Sequence, residues 1–251
     1  MPKSKTVYTR SEGLSKMDSS YCPGCTHGII HKLVAESLVE LDLLDRSIGI
    51  SSVGCSALNY DFFSCDMQQA PHGRAPAVAT GIKRVRPNSI IFTYQGDGDL
   101  ASIGIAEAIH AAHRSENITI VFVNNAIYGM TGGQMSPTTL LGQKTTTSPD
   151  GRTAAQGLPL RIAEMMATIP GATYIERVSV HNPQHVNKAK KALKKAFTIQ
   201  KENKGFTLIE FISTCPVNWG MTPKNAIDWA VDNMIPYYPL GVFKDATVGE
   251  K

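Results

Sequence analysis

The sequence has no apolar run long enough to cross a membrane. Its longest, such as 118–123, falls far short of the ~18 residues that a spanning helix needs. Residues 1–10 are polar and basic with no apolar segment behind them, so no secretory signal is expected. Cysteine is scarce, five in 251 residues, which argues against a disulfide scaffold. No linker-like stretch, low-complexity tract or fixed-period repeat divides the chain, so 1–251 reads as one domain with tails. The net charge of +4 is too mild to argue for nucleic acid, and no basic patch interleaved with aromatics supports RNA binding. The dinucleotide glycine fingerprint and the Gly-Lys-Ser/Thr of a P-loop are both missing, which makes nicotinamide and ATP poor candidates. A soluble, cytoplasmic protein with neither membrane nor nucleic-acid partner is the expectation.

What is present is an alternation of patterns. Apolar periodicity predicts helices over 28–44, 74–86, 103–114, 158–169, 183–203 and 223–233. Short apolar strands are predicted over 47–53, 89–94, 118–123, 173–177 and 206–213. Strands alternating with helices imply an α/β fold with a mostly parallel sheet flanked by helices. Right-handed crossovers then bring the strands' C-terminal ends to one rim, where ligands bind in such sheets. The unusual residues follow strands: Gly54-Cys55-Ser56 the first, Gly96-Asp97-Gly98-Asp99 the second, Asn124-Asn125 the third and Thr214-Cys215-Pro216 the fifth.

Gly96-Asp97-Gly98 ends a strand and soon opens a helix, where backbone N–H groups approach phosphate and the helix N-terminus favours anions. Asp97 offers magnesium a hard oxygen, Asn125 a side-chain carbonyl and Ile127 a backbone carbonyl; phosphates usually complete such a shell. Each motif taken singly is also an ordinary turn; together, after two apolar strands, they favour a site.

Cys22-Pro23-Gly24-Cys25 is a CxxC on a tight turn before a helix, compatible with a cluster, with zinc or with a redox dithiol. Cys55 and Cys215 follow strands on the same rim, so four thiolates can meet although no second local CxxC exists. Cys65, in Phe62-Phe63-Ser64-Cys65, reads as a small buried residue.

Taken in order, Cys-Pro-Gly-Cys-x-His, Gly-Cys-Ser, His72-Gly73-Arg74-Ala75, Gly96-Asp97-Gly98-Asp99, Asn125-x-Ile127-Tyr128-Gly129-Met130-Thr131-Gly132-Gly133-Gln134, Ser136-Pro137-Thr138-Thr139 and Cys215-Pro216-x-Asn218-Trp219-Gly220 resemble the β subunit of 2-oxoacid:ferredoxin oxidoreductases, over nearly the whole chain. The Gly-Asp-Gly to Asn-Asn spacing is that of thiamine-diphosphate enzymes. The resemblance implies magnesium held by Asp97, Asn125 and Ile127, and a diphosphate lined by Gly98 and Asp99. It implies a 4Fe–4S cluster on Cys22, Cys25, Cys55 and Cys215. Further cofactor contacts are expected from Val53, Gly54, Cys55, Ser56, Gly129 and Met130. His72 and Arg74 are expected to approach the diphosphate or the substrate carboxylate as catalytic residues. Thr26 stands where many members have glycine, a change expected to tune rather than abolish the site.

The activity so implied is oxidative decarboxylation of a 2-oxoacid to acyl-CoA and carbon dioxide. Electrons would pass through the cluster to ferredoxin, and coenzyme A would take the acyl group. Partner subunits are implied as well: an α subunit supplying the pyrimidine-binding half and its activating glutamate, a γ subunit and a ferredoxin-like δ subunit. Gly132 stands where some relatives place a lysine suited to a second carboxylate, which favours 2-oxoisovalerate over 2-oxoglutarate. The rival readings are a non-redox thiamine-diphosphate decarboxylase or carboligase, and a zinc-stabilised binding module. His27 and His31 are expected on a helix surface, with metal binding the alternative. Lys188, Lys190, Lys191, Lys194 and Lys195 are expected to form a solvated helix face, with ferredoxin or coenzyme A docking the sharper alternative. The Gly/Thr/Ser-rich stretch 126–156 suits an active-site lid or a subunit contact.

Overall fold

In the computed structural model, which describes residues 8–248, the chain alternates strands and helices along most of its length. Residues 1–7 of the basic start lie outside the described residues. The elements are α1 (His27–Glu40), β1 (Ser47–Ser51), β2 (Asp66–Gln69), α2 (Ala75–Val85), β3 (Ile90–Gly96), α3 (Ile105–His113), β4 (Thr119–Asn124), α4 (Ile162–Ala167), β5 (Ala172–Ser179), α5 (Pro183–Lys201), β6 (Phe206–Ile212), α6 (Pro216–Trp219), α7 (Pro223–Trp229), α8 (Ile235–Tyr237) and β7 (Gly241–Asp245). None of the helices is long and apolar enough to cross a membrane, among the described residues.

The strands form one sheet in the order β2-β1-β3-β4-β6-β5-β7, parallel except for β7, which runs antiparallel to β5. Register aligns Ser51 with Tyr94, Gly96 with Val123 and Asn124 with Ile212, so the C-terminal strand ends share one rim. From β1 the chain leaves toward β2 on one side and β3 takes the other. The order therefore reverses between β1 and β3, the kind of crevice where open α/β sheets bind ligands.

The pleat of the central strands explains why both faces are covered. Phe92, Tyr94, Val121, Val123, Ile209 and Phe211 pack with Ile30, Leu33, Val34 and Leu38 of α1 and with Leu193 and Phe197 of α5. The alternate residues Ile91, Ile120, Phe122 and Leu208 pack with Ala75 and Ala79 of α2, Ala108 and Ala111 of α3 and Ile162 and Met166 of α4. Strands buried on both faces read as near-continuous apolar runs, which is why the sequence shows them so plainly.

Several expectations need correction. The 158–169 helix shrinks to α4, because Pro159 cannot donate within a helix and Leu158 and Leu160 are exposed. The 223–233 helix passes after Trp229 into a π-helical turn, Ala230–Met234. The short edge strands β2 and β7 carry no sequence signal, since Asp66, Gln68 and Gln69 are exposed and β7 is only half covered. With β2 counted, Cys215 follows the sixth strand.

The basic face of α5 is largely answered from within. Lys190 lies 2.9 Å from Glu36 and 2.5 Å from Glu40, Lys194 3.2 Å from Glu40, and Lys195 pairs with Asp245. Charges matched against α1 in this way leave less for an acidic partner, and each such exposed pair contributes at most about 1 kcal/mol to stability.

A second ionic group is buried. Arg177 of β5 and Glu210 of β6 are both inaccessible to solvent, with Nε 2.9 Å from Oε2. Arg177 also donates to both Glu164 oxygens, at 3.0 and 2.5 Å, and to the Pro239 carbonyl at 3.1 Å. Removing one partner leaves the other charge buried. Arg177→Met is therefore expected to cost about 3–5 kcal/mol of stability. Equilibrium denaturation tests this, and an unshifted midpoint would show the pair to be dispensable.

Candidate functional site

Three strand-end loops close around a cavity of about 390 Å³ at the switch point. Val53 to Ser56 come from the loop after β1, Gly96 to Asp99 from the end of β3, and Asn125 and Ile127 to Met130 from the loop after β4, with His27, His72, Thr131 and Gln134 completing the wall. The cavity thus gathers Val53, Gly54, Cys55, Ser56, His72, Asp97, Gly98, Asp99, Asn125, Ile127, Gly129 and Met130 of the expected residues. Arg74 is not among its lining. It pairs with Glu107 between α2 and α3 and is half-exposed, so its charge is spent on a helix–helix contact.

Asp97 is 2% exposed and accepts four hydrogen bonds, from Gly98 N at 2.8 Å, Ile127 N at 3.0 Å, Ser136 Oγ at 2.8 Å and Thr138 Oγ1 at 2.6 Å. Burial nevertheless pushes its carboxyl up to about 6, against the lowering effect of those donors. Asn125 is buried beside it, and its Oδ1 has no hydrogen-bond partner. An orphaned buried acceptor costs about 1–3 kcal/mol until a ligand or water satisfies it, and this one belongs to a residue of the cavity wall. A carboxylate and an amide oxygen facing one cavity suit a hard cation such as magnesium.

Asp99 lies in the cavity wall, as expected of a residue lining the diphosphate, and also holds a turn. Its carboxylate accepts from Ser52 Oγ at 2.7 Å, Gly73 N at 2.7 Å and Gln95 Nε2 at 2.6 Å, and lies 2.6 Å from His72 Nδ1. It lines the cavity, but its oxygens are committed to locking the His72-Gly73 turn against β1 and β3. With Nδ1 held by a carboxylate, the His72 ring is fixed in the cavity wall. The Tyr128 ring packs against Gly98, where a Cβ would come 2.2 Å from it, and its hydroxyl donates to the Gly98 carbonyl at 3.1 Å. Only glycine allows that approach.

The cysteines lie beside this cavity. The Cys25 amide donates to the Cys22 carbonyl at 3.0 Å and closes the CxxC turn, with Gly24 at φ +77° against the Pro223 ring. Thr214 Oγ1 ties the turn to the end of β6 through the Gly24 carbonyl at 2.9 Å, and Thr26 Oγ1 lies 2.5 Å from Ser213 Oγ. A Cβ on Gly129 would meet Cys55 Sγ at 3.4 Å, Cys215 Sγ at 3.5 Å and Asn125 Nδ2 at 3.8 Å. Burial, and after it the neighbouring cysteines, push the Cys25 thiol up to about 12 and the Cys55 thiol up to about 11. Thiols that oppose one another's ionisation need a cationic centre to become thiolates together. Among the described residues, no three His, Cys, Asp or Glu side chains are disposed around one ion's position. The cysteines therefore lack the tight grouping of a closed zinc site. All five are free thiols; Cys65 sits apart, 3.9 Å from Met67 Sδ, with burial pushing its thiol up to about 12.

His27 and His31 are buried rather than on a helix surface. His27 stacks on Tyr21 with ring centroids 4.9 Å apart and lies 2.9 Å from Tyr94 Oη through Nδ1; burial pushes it down to about 3. It faces the cavity as a neutral imidazole. His31 Nδ1 lies 3.0 Å from the His27 carbonyl.

Sequence reasoning missed the residues that hold the donors in place: Ser52, Gln95, Ser136, Thr138 and Asn218. Asn218 donates to the Gly129 carbonyl at 2.8 Å and to Cys215 Sγ at 3.2 Å. Part of the 126–156 stretch is built around the site, since Arg152 donates to the Ser136, Pro137 and Thr139 carbonyls and Ser136 and Thr138 reach Asp97. The nearness of Ser-Pro-Thr-Thr to the Asn-Asn motif was the available signal, but nothing in its spacing says that it folds back onto Asp97.

Residues 52–211 match the family described as thiamine pyrophosphate enzyme, C-terminal TPP binding domain. The chain is 45% identical to the ketoisovalerate oxidoreductase subunit VorA of Methanothermobacter marburgensis, over 95% of this chain and 50% of that protein. It is 32% identical to the 2-oxoglutarate synthase subunit KorB of Archaeoglobus fulgidus, over 97% of this chain and 90% of that one. Among solved structures, it is similar to a chain of 2-oxoglutarate:ferredoxin oxidoreductase from Magnetococcus marinus with 2-oxoglutarate, coenzyme A and succinyl-CoA bound. That match has a TM-score of 0.77 at 28% identity and covers 93% of this chain and 84% of that one. The chain spans about half the length of the VorA relatives it matches.

Proposed function

Because this chain belongs to the 2-oxoacid:ferredoxin oxidoreductase β-subunit family, we propose that it carries the thiamine-diphosphate and cluster half of an enzyme that oxidises a 2-oxoacid to acyl-CoA and carbon dioxide. The observation that carries this reading is Gly129. Cys55 Sγ, Cys215 Sγ and the Asn125 amide nitrogen all lie within 4 Å of the point where its Cβ would stand, so two of the thiols and the residue that carries the unpartnered amide oxygen border one glycine. Bound there, thiamine diphosphate supplies the nucleophilic carbon and the electron sink for decarboxylation, and a 4Fe–4S cluster accepts the electrons.

The chain's own residues bind and orient. Asp97, Asn125 and the Ile127 carbonyl would hold magnesium, and Gly98 brings backbone close to the diphosphate. Cys22, Cys25, Cys55 and Cys215 would ligate the cluster. Val53, Gly54, Ser56, Gly129 and Met130 line the space for the cofactor and substrate, and His72, fixed by Asp99, faces that space. Arg74, committed to Glu107, acts at most through the turn it follows. The donor set fits the groups: an unpartnered buried amide oxygen beside a buried carboxylate for a hard ion, and mutually opposed thiols for an iron centre.

Branched-chain 2-oxoacids such as 2-oxoisovalerate are the substrates the cavity favours over 2-oxoglutarate. No lysine or arginine lines it among the described residues, and Gly132, next to the lining residue Thr131, stands where the family resemblance implies a lysine in relatives that take a second carboxylate. Val53 and Met130, lining the cavity yet 40% and 49% exposed, suit burial by another subunit. We assign that place to an α subunit bearing the activating glutamate, with γ and ferredoxin-like δ subunits passing electrons on to ferredoxin. Five free thiols suit the reducing cytoplasm, and the described residues, built on one sheet, suit a single domain.

The test is the complex purified anaerobically with its native partner subunits and supplied with magnesium, thiamine diphosphate and coenzyme A. Viologen reduction should depend on a 2-oxoacid and run faster with 2-oxoisovalerate than with 2-oxoglutarate. Reduction indifferent to every 2-oxoacid in the panel would defeat the activity; equal rates would defeat the substrate preference alone.

A further inference from the structure

Asn125 and Ile127 flank Ala126, whose φ of +57° is left-handed, a conformation that a residue with a Cβ adopts at a cost. Something must hold it there. The Ala126 carbonyl accepts from Thr139 Oγ1 at 2.6 Å and Gln143 Nε2 at 3.3 Å, and its amide donates to Asn124 Oδ1 at 3.2 Å. The other end of the Asn124 amide, Nδ2, donates to Glu210 Oε1 at 2.9 Å. Glu210 Oε2 accepts from the Ala163 amide at 3.2 Å and forms an ion pair with Arg177, whose Nε lies 2.9 Å away out of hydrogen-bond alignment.

Glu210 is fully buried and stands outside the cavity lining, so the site as described has no use for it. We infer that Glu210 is a positioning residue for the metal-binding loop, acting through Asn124 on the left-handed turn at Ala126. This rests on the magnesium and diphosphate reading proposed above. The physical reason is polarity. A carboxylate only accepts hydrogen bonds, so Nδ2 of Asn124 must face it and Oδ1 must face the Ala126 amide. That amide orientation caps the turn. The turn in turn aims the unpartnered Asn125 Oδ1 at the cavity and brings the Ile127 amide 3.0 Å from Asp97 Oδ2.

A glutamine at 210 breaks the logic while keeping the shape. Its oxygen is drawn to Arg177 and the Ala163 amide, which leaves its NH2 against Asn124. Asn124 then flips and offers its own NH2 to the Ala126 amide, donor against donor. Exchanging the two groups restores every pairing: with Glu210→Gln and Asn124→Asp together, the glutamine NH2 donates to the aspartate, whose other oxygen accepts from Ala126.

The experiment is magnesium titration of thiamine diphosphate binding by calorimetry, on the complex with its partner subunits, with thermal melting of each variant alongside. Glu210→Gln is expected to raise the half-saturating magnesium concentration about 10-fold, the low end of the range for groups bonded directly to a metal ligand, because it acts through Asn124. The double exchange should return most of it. Asn124→Ala, which leaves the Arg177–Glu210 pair intact, should show the same rise and keeps the test available if Glu210→Gln fails to fold. A folded Glu210→Gln or Asn124→Ala variant with the unaltered magnesium dependence would overturn the inference, and so would a double exchange no better than Glu210→Gln. If the unmodified complex bound thiamine diphosphate without regard to magnesium, the reading of the site itself would fail.

Discussion

Replacing Asn125 by alanine is expected to weaken magnesium-dependent binding of thiamine diphosphate by more than about 100-fold, above the range seen when a group one step from a metal is removed. The same change is expected to leave the ligand-free fold as stable as before, or up to about 1 kcal/mol more stable. The two effects separate because of what the Asn125 oxygen does without ligand: it is buried and bonded to nothing. Deleting it removes an unpaid desolvation cost together with the metal donor. Thermal melts with and without magnesium and thiamine diphosphate read both effects at once. The unaltered complex should gain stability from the ligands by mass action, and the variant should not. A variant that kept the full ligand-induced shift would remove Asn125 from the metal site. Asp97→Ala is a poorer probe, since it also strands Ser136, Thr138 and two backbone amides.

Cys55→Ser should separate the two halves of the site. Cys55 lines the cavity and also approaches Gly129 opposite Cys215, so it borders both groups. The anaerobically purified variant is expected to hold less iron and sulfide than the unaltered complex. It should lose 2-oxoacid-dependent viologen reduction by more than about 100-fold, and it should still bind thiamine diphosphate with magnesium. Serine keeps the volume and a hydrogen-bonding oxygen but forms a poor ligand for a soft iron–sulfur centre. Cys65→Ala serves as the control, because Cys65 packs under the apolar core beside Met67 and should leave iron content unchanged. Full iron content in Cys55→Ser would exclude Cys55 as a ligand, and equal iron loss in Cys65→Ala would point to general instability.

The sequence by itself determined the five inner strands of the sheet and the gathering of the site. Strands such as Thr119–Asn124 and Phe206–Ile212 are buried on both faces, so their apolar runs announce them. Chirality then requires the loops after them to share a rim, which is why Gly54, Asp97 and Asn125 could be placed together before any coordinate was known. Motif order supplied the family.

Tertiary structure decided the rest, because those features depend on partners distant along the chain. His27 and His31 became buried when Tyr21 and Phe62 closed over them. Arg74 was taken from the cavity by Glu107, 33 residues on. Asp99, at the cavity wall, was tied to the His72-Gly73 turn, and Lys190 and Lys194 of α5 were answered by Glu36 and Glu40, which no periodicity links to them. The diphosphate and cysteine motifs, legible as two patterns, meet beside Gly129, where Cys55, Cys215 and Asn125 come together from three different loops, and only packing brings those loops into contact.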